Sequence, residues 1–158
     1  MIILTETHLT SSILDAEVSI PGYIMFRTDR SESRTHGGCT IYIRDDLISS
    51  LETSHSNSVC ETLAVKVKTL NTLVVVQYRP PGCQLDEYIE ALAVSQEAIE
   101  KTMKYDCKIR TILKFGDFNF PFLKWPSRKI YSSTNERAVK SDDKLQAEKF
   151  NEFVMRLF

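Results

Sequence analysis

Asp117 and Asn119 stand two positions apart in Phe115-Gly116-Asp117-Phe118-Asn119-Phe120-Pro121, directly after the apolar stretch Thr111–Phe115. On an extended segment, side chains two positions apart share one side. A carboxylate beside an amide can hold a water and pass it toward an electrophile. Gly116 lets the backbone turn or lets a ligand approach closely. The same spacing also suits an Asx-turn, in which both side chains bond local backbone. Glu6, in Leu4-Thr5-Glu6-Thr7, ends the first β-branched run. It is placed either as a hard-cation ligand or as a solvated loop acid; Mg²⁺ takes one or two protein carboxylates and keeps several waters. Tyr78, in Gln77-Tyr78-Arg79-Pro80-Pro81, ends another apolar run. Its hydroxyl is set to donate to a phosphate oxygen, or its ring to pack at the sheet edge.

These residues need strand ends to hold them. Ile2-Ile3-Leu4-Thr5 reads as a buried strand that starts at once. Pro21-Gly22 marks a turn before the strand Tyr23–Arg27, and residues 28–38 read as an exposed loop closing on Gly37-Gly38. Cys39–Ile43 is the next strand. Thr62–Lys68 alternates, with apolar residues at 63, 65 and 67, the pattern of a sheet with one wet face. Leu73–Val76 is apolar on both faces, as a central strand requires. From Leu85 to Met103 the period changes, and Leu85, Ile89, Leu92, Ile99 and Met103 fall near one helical face. A buried strand over Thr111–Phe115 runs into Gly116, residues 126–144 read as a polar loop, and Gln146–Phe158 resumes helical spacing. Strands, one helix, a strand and a helix suit a mixed α/β sandwich better than a doubly wound sheet. The strands ending at Glu6, Tyr78 and Asp117 are expected in a common sheet core, with those side chains converging.

The composition sets broad limits. The chain has 158 residues, 42% apolar and 26% charged, with 20 Lys plus Arg against 21 Asp plus Glu. That is enough for one domain with a real core. The net charge of -1 gives no overall basic signature for a nucleic-acid partner. Cys39, Cys60, Cys83 and Cys107 lack zinc-ligand spacing and read as reduced thiols of a nuclear or cytoplasmic, intracellular protein. The longest aliphatic run, Leu73–Val76, is far short of a membrane span, and no secretory signal is visible.

The ordered series of motifs resembles the endonuclease/exonuclease/phosphatase superfamily, and more narrowly the apurinic-type endonuclease domain of non-LTR retrotransposons. The series is Thr5-Glu6-Thr7, Pro21-Gly22-Tyr23, Arg27–Arg30, Gly37-Gly38 leading into Ile41-Tyr42-Ile43, Tyr78-Arg79-Pro80-Pro81, and Gly116-Asp117-Phe118-Asn119 with Pro121 and Trp125. Each tetrapeptide alone is weak; their order across residues 1 to 125 is the specific feature. The resemblance implies a four-layer α/β/β/α, DNase I-like sandwich, with residues 1–158 as a partial domain incomplete at both ends. It implies Mg²⁺-dependent phosphodiester hydrolysis of DNA, with Mn²⁺ as a substitute. Glu6 is then the metal ligand, Tyr78 the phosphate donor, Asp117 the residue that orients or deprotonates water, and Asn119 its helper.

The departures are as specific. The family places a metal-site asparagine on a strand before the Glu6 strand and closes with a Ser-Asp-His motif. A complete sandwich would run to about 200–250 residues. The histidines here are His8, His36 and His55, all upstream of Asp117 and read as loop residues. The alternatives are therefore a catalytically inactive remnant that binds Mg²⁺ or nucleic acid, or a related phosphodiesterase acting on non-nucleic substrates. The Tyr78–Pro81 and Gly116–Pro121 combination favours the nuclease over the last of these.

Overall fold

The segments Glu61–Val67 and Thr72–Tyr78 carry apolar residues on both sides, so the two central strands they form are dry on either face of their sheet. In the computed structural model, residues 1–30 and 35–119 are described, and the chain divides into two compact units, 1–118 and 119–158. The first unit contains β1 (Ile2–Thr5), β2 (Tyr23–Thr28), β3 (Cys39–Arg44), β4 (Ser49–Ser56), β5 (Glu61–Val67), β6 (Thr72–Tyr78), α1 (Leu85–Tyr105) and β7 (Thr111–Asp117). Of the second unit, only Asn119 is described. Pro121, Trp125, the expected loop at 126–144 and the expected helix at 146–158 lie outside the described residues.

Two sheets form. The first has the order β1-β3-β2, antiparallel throughout; the second has the order β4-β5-β6-β7. In the second sheet only the β6–β7 pair is parallel, and α1 spans the crossover that a parallel pair needs. Leu63, Val65, Val67, Val74, Val76 and Tyr78 face Cys39, Ile41 and Ile43 of β3 in one buried core. Their alternate neighbours Ala64, Leu73 and Val75 face Ile99 and Ile109, with Met103 packed alongside. The first unit is thus layered helix, sheet, sheet. Burying each Leu, Ile or Val side chain in such a core contributes about 1.5–3 kcal/mol.

Several expectations are corrected. Glu6, Tyr78 and Asp117 do not end strands of a common sheet: Glu6 follows β1 in the first sheet, while Tyr78 and Asp117 end β6 and β7 in the second. β1 is not buried: among the described residues it pairs on one side only, and Leu4 is 43% exposed. β7 is also an edge among the described residues, with Leu113 and Phe115 38% and 39% exposed. β5 has no wet face, since α1 covers the side expected to be solvated, and its half-buried Lys66 reaches out to an ion pair with Asp106. On α1, Tyr88, Ala91 and Ser95 are buried, whereas the expected Ile89 and Met103 are only half-buried. β4 is a strand that the sequence pattern does not announce. Its sequence, Ser49-Ser-Leu-Glu-Thr-Ser-His-Ser56, has no apolar period, and it is held as an edge strand by pairing with β5 across a bulge between Leu51 and Thr53. His55 accordingly sits in a strand, not a loop. Among the described residues, no helix is long and apolar enough to cross a membrane.

Candidate functional site

Strand register assembles the site. Glu61 pairs with Tyr78 across β5–β6, and Tyr78 pairs with Asp117 across β6–β7, so the three form one row at the end of the four-stranded sheet. Glu61 shares its face with Leu63, Val65 and Val67, and Tyr78 shares the same face with Val74 and Val76. That face looks toward the three-stranded sheet, whose β1 ends at Thr5, one residue before Glu6. The Tyr78 hydroxyl donates to Glu6 Oε1 at 2.7 Å, closing the gap between the two sheets.

The backbone around each residue explains how it is held. At Gly116 an added Cβ would collide with the Gln77 carbonyl of β6, so the glycine permits close strand approach. The Arg79 amide donates to the Asp117 carbonyl at 2.9 Å and secures the end of β7. Glu6 and His8 adopt left-handed backbone conformations, with φ of 53° and 57°. Non-glycine residues pay for that conformation, and such strain concentrates at functional sites. It is stabilised here because the Thr7 amide donates to Gly38 O at 3.2 Å and the His8 amide to Gly37 O at 2.8 Å.

Glu61 is the residue that sequence reasoning missed. Its carboxylate is fully buried and accepts from the Gly38 amide at 2.5 Å, with the Cys39 thiol beside it. The signal was present: on a strand whose inward residues are 63, 65 and 67, position 61 also points inward, and a carboxylate on a core face demands a partner.

Charge accumulates around one phenol. Tyr78 is held well above the ordinary tyrosine range, first by burial, then by its hydrogen bond to Glu6 and by the charges of Glu6, Glu61 and Asp117. It therefore stays protonated and remains a donor. Burial, followed by the charge of Glu61, likewise pushes the Cys39 thiol up, which makes it a poor nucleophile.

Glu6, Tyr78 and Asp117 are thus gathered at one end of the first unit. Asn119 opens the second unit, and its φ of 47° breaks the extended run, so the shared-side argument for Asp117 and Asn119 stops at Phe118. His8 contacts the Thr35 carbonyl and the ring of His36, and His55 contacts Asn57. None of the four cysteines is in a disulfide.

Among the described residues no group of three His, Cys, Asp or Glu is placed to hold a metal ion. Mg²⁺ does not demand one, because it binds through one or two carboxylates and retains water. An exposed Glu6 and a half-buried Asp117, both hard oxygen donors, fit such a hydrated cation and do not fit a dehydrated cage. No protein-family model matches the chain, and no curated protein matches it.

Proposed function

We propose that this end of the molecule is a phosphodiester-hydrolysing site of the endonuclease/exonuclease/phosphatase type, acting on DNA as in the endonuclease domains of non-LTR retrotransposons, within a four-layer sandwich. The observation behind the reading is the Tyr78–Glu6 hydrogen bond of 2.7 Å between the two sheets, with Asp117 in register beside Tyr78. The layering of helix, sheet and sheet accommodates three of the four layers.

Glu6, with Asp117 nearby, would hold Mg²⁺ or Mn²⁺. The bound ion supplies charge neutralisation at the phosphate and polarisation of a water. The need for it follows from the residues: three carboxylates around Tyr78 repel an anionic phosphate, and a cation reverses that sign. With Glu6 turned to the cation, the Tyr78 hydroxyl, kept protonated, would release Glu6 and give its single proton to a non-bridging phosphate oxygen. Asp117 orients the attacking water and accepts its proton as the water oxygen bonds to phosphorus and the P–O bond to the leaving oxygen breaks, the leaving alkoxide taking a proton from solvent.

A second reading is binding without turnover. It is favoured by the engagement of His8, His36 and His55 with Thr35, one another and Asn57, which gives none of them as a donor opposite Asp117. Nicking of supercoiled plasmid with and without Mg²⁺ separates the two readings, with Asp117→Ala and Glu6→Gln as controls. Catalysis predicts Mg²⁺-dependent nicking that falls by about 10²–10³ in each variant, the cost typical of one transition-state group. Binding alone predicts no nicking but Mg²⁺-dependent retention of a phosphorothioate DNA, lost in Glu6→Gln. Failure of both rejects the proposal.

A further inference from the structure

We infer that Glu61 is the positioning residue for Glu6, acting through the Gly37-Gly38 turn; the inference rests on the reading of Glu6 as the cation ligand. The chain of contacts is short. Glu61 Oε2 accepts from the Gly38 amide at 2.5 Å, and Gly38 and Gly37 offer their carbonyls to the Thr7 and His8 amides at 3.2 and 2.8 Å. Glu6, directly before Thr7, is thereby set in its left-handed conformation, from which its carboxylate meets the Tyr78 hydroxyl. Tyr78 is the cross-strand partner of Glu61, so the path returns to its origin and forms a closed ring across both sheets.

Both glycines are shaped for this clasp. A Cβ at Gly37 would lie 2.5 Å from Glu61 Oε1, and one at Gly38 would strike the Thr7 hydroxyl; their φ values of 126° and 91° also exclude most side chains. A fully buried carboxylate is costly unless it is used. An apolar residue at 61 would extend the inter-sheet core without that cost, but would leave the Gly38 amide without its acceptor. The clasp thus accounts for an acid at the one inward position of β5 where the core gives way to the Glu6 turn. Glu61 acts through the Gly38 amide, holding the backbone that aims Glu6.

NMR-detected hydrogen exchange on the whole chain tests the clasp directly. In Glu61→Ala, the Thr7, His8 and Gly38 amides should exchange at least about tenfold faster, a local opening, while Val65 and Val75 keep their protection. Glu61→Gln retains an acceptor for Gly38 and should hold Thr7 and His8 near their wild-type rates. Mg²⁺ affinity should follow, weakened about tenfold in Glu61→Ala, as for other groups that support a metal ligand, and restored in Glu61→Gln. If Glu61→Ala does not fold, Glu61→Asp, whose carboxylate falls one methylene short of Gly38, should release the same amides. Unchanged protection of Thr7 and His8 in Glu61→Ala or Glu61→Asp overturns the inference, as does equal loss in Glu61→Gln. A wild-type protein with no Mg²⁺ response would defeat the proposed chemistry, and the exchange rates would still decide the clasp.

Discussion

Glu61 and Thr62 are neighbours on β5, and Gln77 and Tyr78 are neighbours on β6, yet the two faces of the sheet end in opposite ways. Toward α1, Thr62 shares a hydrogen bond with Ser95 at 3.1 Å, the Gln77 amide donates to Thr62 at 3.5 Å, and Ser95 donates to the Ala91 carbonyl at 3.1 Å. These groups are neutral, buried and bonded to one another. Toward the three-stranded sheet, Glu61 and Tyr78 meet Glu6, with Asp117 alongside. Polar groups that satisfy each other close a protein face. Carboxylates gathered around one phenol leave negative charge that a proton or a cation must balance. The contrast separates polar groups that satisfy one another within the fold from carboxylates whose charge, on the proposed reading, a cation would balance.

The comparison predicts first that the two faces are equal as cores. Leu63→Ala on the inter-sheet side and Ile99→Ala on the helix side each remove a fully buried side chain. Each should cost about 2–5 kcal/mol in urea unfolding. A trivial cost for either would show that its face is not a core and would remove the basis for comparing the polar ends.

The polar ends should then diverge. Mg²⁺ at ten times its dissociation constant, expected to be no tighter than roughly millimolar for so hydrated a site, should add about 1.4 kcal/mol to wild-type stability. Glu6→Gln should abolish that increment while changing the metal-free stability little, because Glu6 is exposed. Ser95→Ala should do the reverse, losing about 0.5–1.5 kcal/mol without metal and keeping the full Mg²⁺ increment. An increment that survives Glu6→Gln, or disappears in Ser95→Ala, would erase the distinction between the two ends.

What the sequence revealed of this contrast depended on which residues announce themselves through period. β6 was legible because Leu73–Val76 is apolar on both faces, and the helix because its spacing changes at Leu85. Glu6, Tyr78 and Asp117 were legible as polar residues closing apolar runs. Glu61 was not singled out, because it opens a run; only the parity of Leu63, Val65 and Val67 places it inward. β4 was invisible because its stability comes from the backbone ladder with β5, which leaves no apolar signature in Ser49–Ser56. The assignment of Glu6 to one sheet and of Tyr78 and Asp117 to the other depends on pairings distant in sequence. No local pattern encodes that.

The smallest predicted effect compares two tyrosines, one near each polar end. Tyr78 and Tyr88 are both fully buried and both held above the ordinary tyrosine range, each chiefly by burial. The second cause differs. Tyr78 is raised further by its hydrogen bond to Glu6 and by nearby carboxylates, whereas Tyr88 is raised further by Cys60, and the Arg79 guanidinium over its ring at 5.5 Å pulls the other way. A raised folded-state value means that the native protein keeps a proton the unfolded chain gives up near about pH 10. Each phenol therefore contributes stability that is fully present below about pH 10 and is lost as the pH climbs from there through the folded-state value. Glu6→Gln removes the anionic acceptor but not the burial, so Tyr78 should come down part of the way and its alkaline window should narrow from the top. Tyr88 should not move, because Glu6 is not among the groups that raise it. Titration of ring-labelled tyrosines by carbon NMR in wild type and Glu6→Gln resolves the two residues separately. Equal displacement of Tyr78 and Tyr88 would indicate a general loosening, and no displacement of Tyr78 would mean that the bond to Glu6 does not persist in solution.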